Sequence, residues 1–294
     1  VNLSRHLQEA ANHLIKLGAA DSLDESRLEV ELLYGEAANI DRAHVIASGS
    51  KTIDPEAYAL FKQLLNRRIA REPLSYIIGT REFYGLTFEV GSGVLIPRPE
   101  TETLVEAALV AVNDHPRAGH VVRVADIGTG SGAVAISVAL HASNTHVFAV
   151  DASTTALQWA KKNLQRLGPI DRLNITPGDL LDPVDEPLDV ILANLPYVPT
   201  KEFNVLPEEI RLHEPSIAID GGDDGLVPYR RFSSQLSKHL ARDAYSILCE
   251  IGTGQAHCVQ ELLLNSLGRP PDVDVRLHKD LQGFERVIEV RAGY

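Results

Sequence analysis

The residues most able to do chemistry lie in the run Leu192-Ala193-Asn194-Leu195-Pro196-Tyr197-Val198-Pro199. An apolar stretch, Leu188 to Ala193, reads as a buried parallel strand, and a polar amide ends it abruptly. Chemistry in open α/β sheets collects at the carboxyl ends of strands. Asn194 carries an amide oxygen that accepts and an NH2 that donates. Leu195 precedes a proline, which biases it to an extended backbone whose carbonyl is free to face outward. Pro196 stiffens the turn, and Tyr197 can wall a flat group. These four residues suit a planar amide or an exocyclic amine whose nitrogen is aimed at an electrophile. They equally suit a strand followed by a proline-punctuated loop, so the rest of the chain has to decide.

The elements that must position them begin with Val121-Val122-Arg123-Val124-Ala125-Asp126, a strand. It enters the turn Ile127-Gly128-Thr129-Gly130-Ser131-Gly132, and a helix follows over Ala133 to Leu140. Strand, glycine-rich turn and helix make the βα unit of nucleotide folds. A dinucleotide fingerprint reads G-x-G-x-x-G, with a pyrophosphate on the helix N-terminus. Here the order is D-x-G-x-G-x-G, with Asp126 two positions before the first glycine. An acid there suits a cationic or amine-bearing ligand better than a diphosphate. S-adenosylmethionine, with a sulfonium, an ammonium and no phosphate, meets that requirement.

The next strands keep the rhythm. His146 to Val150 ends at Asp151, 21 residues beyond Gly130, where a carboxylate can accept both hydroxyls of a ribose. Leu173 to Gly178 leads to Asp179, which can accept from an adenine amine, and Leu180, which can pack on the ring. Each acid alone is also an ordinary cap or turn former, Asp179 above all. Four successive strands delivering Asp126, Asp151, Asp179 and Asn194 in phase argue for one shared site.

The 294 residues suffice for two domains, and 44% of them are hydrophobic, an ordinary globular share. No apolar run has the length of a membrane span and no signal peptide is recognisable at the start. Cys249 and Cys258 make neither a disulfide framework nor a metal set, and the scattered histidines show no ligand spacing, so no metal is expected and a reducing cytoplasm is the simplest home. A net charge of −12 argues against stable binding of a long nucleic-acid backbone. Residues 1–85 hold ten Lys/Arg and twelve Asp/Glu, so the acidity belongs to the remainder.

Helical spacing dominates the first third. Leu3, Leu7, Ala10, Leu14 and Leu17 form one apolar face, stopped by Gly18. Ser22 with Glu25 has capping-box spacing, and Asp54-Pro55 opens a helix through Arg68. Arg67, Arg68 and Arg71 read as a solvated face or a partner contact. Phe83 to Val90 reads as a hairpin around Gly85, followed by Val94 to Glu102, where Pro97 and Pro99 stiffen Arg98 for an anion or for an ion pair. The organisation expected is a helical recognition module over 1–82, a connector over 83–100 and an α/β catalytic domain over 101–294. Beyond the motif, Lys201 to Leu212 reads as a mobile loop with a short helix. Tyr229 to Leu240 and His257 to Leu267 read as helices. Tyr245 to Glu250, Val273 to Leu277 and Arg286 to Val290 read as closing strands.

The chain resembles the protein-(glutamine-N5) methyltransferases that modify peptide chain release factors, the HemK/PrmC family. The landmarks are Glu72 to Gly79, Leu95 to Glu102, Asp126 to Gly132 and Asn194 to Tyr197. Glu214-Pro215, Gly221 to Leu226 and Glu250-Ile251-Gly252 complete them. The resemblance implies a class I S-adenosylmethionine-dependent fold: Rossmann-like, with a seven-stranded, mostly parallel sheet that finishes in an antiparallel pair. It also implies S-adenosylmethionine as methyl donor, S-adenosylhomocysteine as product, and a bacterial-type release factor as partner. The acceptor it implies is the glutamine of that factor's Gly-Gly-Gln loop. Cofactor contacts are expected at Asp126, Gly128, Thr129, Gly130, Ser131, Gly132, Asp151, Asp179, Leu180 and Asn194, and catalytic ones at Asn194, Leu195, Pro196 and Tyr197.

One departure stands out. The family's motif is usually Asn-Pro-Pro-Tyr, and Leu195 replaces the first proline while keeping the main-chain carbonyl through which that position acts. The competing readings are glutamine methylation of a ribosomal protein, amine methylation of adenine or cytosine in DNA, a nicotinamide-dependent oxidoreductase and a non-catalytic binding module. The acidic charge disfavours DNA, and the glycine spacing disfavours nicotinamide.

Overall fold

The computed structural model describes residues 2–294 except Arg117, Ala118, His120 and Pro169. Val1, the first residue of the expected N-terminal module, also lies outside the described residues. The chain divides into two compact units, Val1–Thr80 with Pro207–His213 and Arg81–Leu206 with Glu214–Tyr294. The first contains α1 (Leu3–Lys16), α2 (Leu23–Ala38), α3 (Arg42–Ala47), α4 (Pro55–Ile69) and α5 (Leu74–Ile78).

The hairpin of β1 (Thr80–Phe83) and β2 (Leu86–Glu89) follows, all but Thr80 in the second unit, and then α6 (Glu102–Asp114). Alternation follows: β3 (Val122–Ile127), α7 (Ala133–His141), β4 (Thr145–Asp151), α8 (Thr154–Leu167), β5 (Leu173–Pro177) and β6 (Val190–Ala193). The segment expected as a loop with one short helix holds two helices, α9 (Thr200–Phe203) and α10 (Glu208–His213), the latter within the first unit. The chain then forms α11 (Val227–His239), β7 (Tyr245–Glu250), α12 (Ala256–Ser266), β8 (Val273–Lys279) and β9 (Glu285–Ala292).

The seven-stranded sheet runs β5-β4-β3-β6-β7-β9-β8. Neighbours from β5 to β7 pair in parallel, and β9 pairs antiparallel with both β7 and β8. Apolar side chains bury both faces of the central strands, which is why those strands read as continuous hydrophobic runs. The motif strand is shorter than its apolar run suggests. Leu188 leaves the ladder to bond His239 and Ala241, and the Asp189 carboxylate accepts the Arg123 N–H at 2.8 Å. Among the described residues, no helix is long and apolar enough to cross a membrane.

In the first unit, α1 is capped by Asn2, α3 by Asp41 and α4 by Asp54, each side chain accepting an N–H of the opening turn. Ser22 caps α2 through the Glu25 N–H, while the Glu25 carboxylate reaches one residue further back than a capping box, to the Asp21 N–H. Leu14, Leu33 and Phe61 fill the core.

Of the three arginines expected on a solvated face or at a partner, Arg67 is exposed, whereas Arg68 is buried. Arg68 is 1% exposed. Its Nε donates to both oxygens of Glu29 at 3.1 and 3.0 Å, and its Nη2 donates to the Ala19 carbonyl at 2.6 Å and to Glu209 at 2.5 Å. Arg67 forks onto Glu72, and Arg71 donates to the Gly18 and Leu17 carbonyls. Burial pushes the Glu29 carboxyl up against the opposing pull of Arg68. Removing one partner of such a buried pair leaves an uncompensated charge. Arg68→Ala should therefore destabilise the helical unit by about 3–5 kcal/mol. Hydrogen exchange of α2 and α4 in the full chain reads that loss, and amide protection equal to the unmodified protein would refute it.

Candidate active site

The winding of the sheet reverses between β3 and β6. From β3 the chain proceeds to β4 and β5 on one side, and from β6 to β7 on the other. Such a reversal leaves a crevice beyond the carboxyl ends of the two strands. A cavity of about 540 Å³ lies there, within the range of small-molecule sites. Asp126, Gly128, Thr129, Gly130, Ser131, Asp151, Asp179, Leu180, Asn194 and Pro196 all line it.

Asp126, on the penultimate position of β3, is 1% exposed. Its Oδ2 accepts the Thr129 hydroxyl at 2.6 Å and the Ala135 N–H of α7 at 3.1 Å, so it braces the turn and the helix together. Burial raises its pKa to about 6, the two hydrogen bonds opposing. The turn needs positive φ at Gly128, Gly130 and Gly132, a backbone that side chains rarely adopt. Its N–H groups point inward. Gly128 and Thr129 donate to the Val150 carbonyl, Gly130 to Asp151 and Gly132 to Thr129. A pyrophosphate needs such donors, and here they are committed to holding the turn against the end of β4.

Asp151 ends β4 and accepts from Gly130 at 2.8 Å and Ser153 at 2.8 Å. Burial raises its carboxyl while these main-chain bonds oppose. Each oxygen keeps lone-pair capacity for a ligand hydroxyl. Asp179 lines the cavity, its carboxylate half-exposed and paired with Arg231 of α11. Leu180 follows with φ +54°, an uncommon backbone for a leucine, at the cavity wall.

Asn194 stands directly after β6. Its Nδ2 donates to the Thr101 hydroxyl at 3.2 Å. Three expected residues do not line the cavity. Gly132 is the N-cap of α7. Leu195 is 4% exposed, with its side chain in the apolar cluster beneath the sheet edge. Tyr197, read as a wall for a flat group, packs against that same cluster and donates its hydroxyl to Glu250 Oε1 at 3.3 Å. The loop carrying it is pinned by Gln255, whose Nε2 donates to the Tyr197 carbonyl at 2.9 Å. At Gly225 a side chain would collide with that carbonyl, which explains a glycine there.

Other residues brace the site. Thr101, the last residue of a 3₁₀ turn over Pro99–Thr101, lines the cavity and is 4% exposed. Glu214 accepts the Ile96 N–H at 3.0 Å and pairs with Arg98, so the connector arginine forms an internal ion pair at the cavity edge. Asn163, fully buried, ties the Glu89 main chain to the Ser131 carbonyl. The partners lie 32 to 118 residues apart in sequence, beyond the reach of any local signal. Among the described residues no cluster of three or more His, Cys, Asp or Glu is placed to hold a metal.

Two family models match the chain: the PrmC N-terminal domain over residues 7–79 and the Methyltransferase small domain over residues 106–212. The release factor glutamine methyltransferase of Geobacter sulfurreducens is 37% identical over 276 residues, covering 94% of this chain and 93% of that protein. Its counterpart from Bradyrhizobium diazoefficiens is 36% identical over 272 residues, covering 92% and 89%. Among solved structures, the catalytic domain of hMettl16 superposes with a TM-score of 0.53 at 19% identity, over 78% of this chain and 82% of that one, a likeness of fold.

The raised pKa of Asp126 carries a sign. Below about pH 6 the carboxyl takes up a proton and ceases to attract a cation. Calorimetric titration with S-adenosylmethionine should show affinity falling as pH drops through about 6, and Asp126→Asn should remove that dependence. A pH-independent affinity in the unmodified protein would rule out a cation held by Asp126.

Proposed function

Because the chain belongs to the release factor glutamine methyltransferases, we propose that it methylates the side-chain amide nitrogen of the glutamine in the Gly-Gly-Gln loop of a peptide chain release factor. The observation that carries this reading is the shared cavity. Asn194 on one side of the sheet reversal faces the same space as Asp126 and Asp151 on the other. A group that binds an amide and a group that binds a cationic nucleoside are thus brought together.

The cavity fits S-adenosylmethionine by the chemistry of its donors. Asp151 suits the ribose hydroxyls, Asp126 the charged amino-acid portion and Leu180 an adenine face, while the inward-turned N–H groups of the glycine turn suit a ligand without phosphates. S-adenosylmethionine supplies the electrophilic methyl group when bound. The protein's task is to present the nucleophile. An amide nitrogen is a poor one, its lone pair being delocalised into the carbonyl. Asn194 Oδ1 and the Leu195 main-chain carbonyl accept the two N–H groups of the glutamine, orient the nitrogen and stabilise the positive charge that develops on it. Leucine in place of the usual proline keeps the carbonyl, and Pro196 restrains it from the following position. Tyr197 donates its hydroxyl to Glu250, which fixes the ring beside the motif. The helical module grips another part of the factor, and a cytoplasmic site of action goes with this reading.

Transfer of labelled methyl from S-adenosylmethionine tests it. Label should appear on a release factor and vanish when its Gly-Gly-Gln becomes Gly-Gly-Ala. Asn194→Ala should lower the rate about 100-fold or more, as for loss of a transition-state hydrogen-bonding group. Label on a ribosomal protein or on DNA instead would reassign the substrate while leaving the chemistry in place.

A further inference from the structure

A peptide that reaches Asn194 brings more than its side chain. Its main-chain carbonyls also leave water, and each loses free energy unless a donor meets it. For the substrate proposed above, on which this inference rests, the cavity must therefore supply donors to neutral oxygens. The N–H groups of the glycine turn are spent on Val150, Asp151 and Thr129. Two cations line the cavity among the described residues, Arg98 and Arg231, and Arg231 is paired with Asp179. Arg98 remains.

The chain holds Arg98 firmly. Pro97 and Pro99 flank it, and its backbone is extended, with φ −93° and ψ 143°. Its carbonyl accepts the Thr101 N–H at 3.1 Å, closing the 3₁₀ turn whose Thr101 hydroxyl accepts from Asn194 at 3.2 Å. One turn of chain thus separates Arg98 from the contact to Asn194. Glu214, its side chain 1% exposed, steers the guanidinium. Its Oε2 accepts the Ile96 N–H at 3.0 Å and its Oε1 accepts from Arg98 Nη2, so both oxygens are tied. Arg98 keeps 32% of its side chain exposed. Its Nε and Nη1 have no hydrogen-bond partner among the described residues, and neither is sealed from solvent.

Charge balance selects what those donors take. Glu214 cancels the guanidinium charge, leaving directed N–H groups with little net field, which suits a neutral carbonyl oxygen. A further carboxylate would instead add to Asp126, Asp151, Asp179 and Asp220, which already line the cavity. The side-chain oxygen of the glutamine fits poorly too. A strong donor there holds the nitrogen lone pair in the carbonyl and opposes attack. We propose that Arg98, aimed by Glu214, binds a main-chain carbonyl of the acceptor loop beside the glutamine. The loop's backbone is then anchored close to the residue that receives its amide. Arg98 is a substrate-binding residue, and Glu214 a positioning residue that acts through it.

Calorimetry on the full chain loaded with S-adenosylhomocysteine tests this without turnover. Arg98→Ala should weaken release-factor binding about tenfold or more, as for loss of a hydrogen bond from a charged donor. Its affinity for S-adenosylhomocysteine should stay within about twofold of the unmodified value. The loss should be equal for a factor whose loop reads Gly-Gly-Ala, which keeps every main-chain carbonyl. Glu214→Gln should weaken binding in the same direction, and the double variant should bind no worse than Arg98→Ala. The double variant also leaves no buried carboxylate unpaired, so it carries the comparison if the single one is unstable. In turnover, the KM for the factor should rise in step while kcat changes less than about threefold.

Normal factor binding by Arg98→Ala overturns the proposal. A loss that vanishes with Gly-Gly-Ala also overturns it, placing Arg98 on the side-chain amide. A loss that falls on S-adenosylhomocysteine in the double variant does the same, placing Arg98 on the cofactor's carboxylate. Additive effects of the two substitutions overturn the role given to Glu214. If the unmodified enzyme neither binds nor methylates a release factor, the substrate reading fails and this inference with it. Methylation at an affinity indifferent to Arg98 overturns this inference alone.

Discussion

A parallel sheet that reverses its winding leaves a gap at the reversal, because the connections on either side of it run off in opposite directions. In this protein that gap lies between β3 and β6. Asp126 and Asn194 border it because Asp126↔Leu192 and Ile127↔Ala193 stand in register across the two strands. The chemistry depends on that register. A slip by one residue would turn Asp126 into the opposite face of the sheet and leave the glycine turn without its brace.

Holding carboxyl groups at such an edge is costly, since the surrounding protein excludes the water that stabilises charge. Asp126, Asp151 and Glu250 are all raised by burial, each with partial compensation. For Asp151 the compensation comes from the main-chain N–H groups of Gly130 and Ser153, and for Asp126 first from the Thr129 hydroxyl and then from the Ala135 N–H, so the same bonds that shape the turn also sustain the charge. Glu250 has the Tyr197 hydroxyl and the more distant charge of Arg286.

Much of this was legible in the amino-acid sequence. The apolar runs ending in Asp126, Asp151 and Asn194, and the glycine spacing between the first two, place those residues at strand ends through local pattern alone. The caps Ser22 and Asp54 were equally visible. What escaped was everything decided by a distant partner. Arg68 looks solvated in a helix that also carries Arg67, and only Glu29 and Glu209 explain its burial. Asp179 reads as an acceptor or a turn former, and its pairing with Arg231, 52 residues on, is not visible locally. Tyr197 reads as a wall for substrate, yet Glu250, on the neighbouring strand, draws its hydroxyl inward. Thr101 reads as the start of a helix, and its meeting with Asn194 is created by the fold alone.

The membership of Pro207–His213 in the helical unit has a consequence for how this architecture can be rearranged. The unit is discontinuous along the chain, and Glu209, from its later segment, supplies one of the two carboxylates around the buried Arg68 guanidinium. Recombination at the hairpin would bring in a foreign helical module without that carboxylate, or export this one without it. A graft that worked would need two crossovers, the second placed just behind the catalytic motif. The two units are thus not free cassettes: the helical unit cannot be exchanged as one continuous stretch, because seven of its residues, Pro207–His213, lie far along the chain.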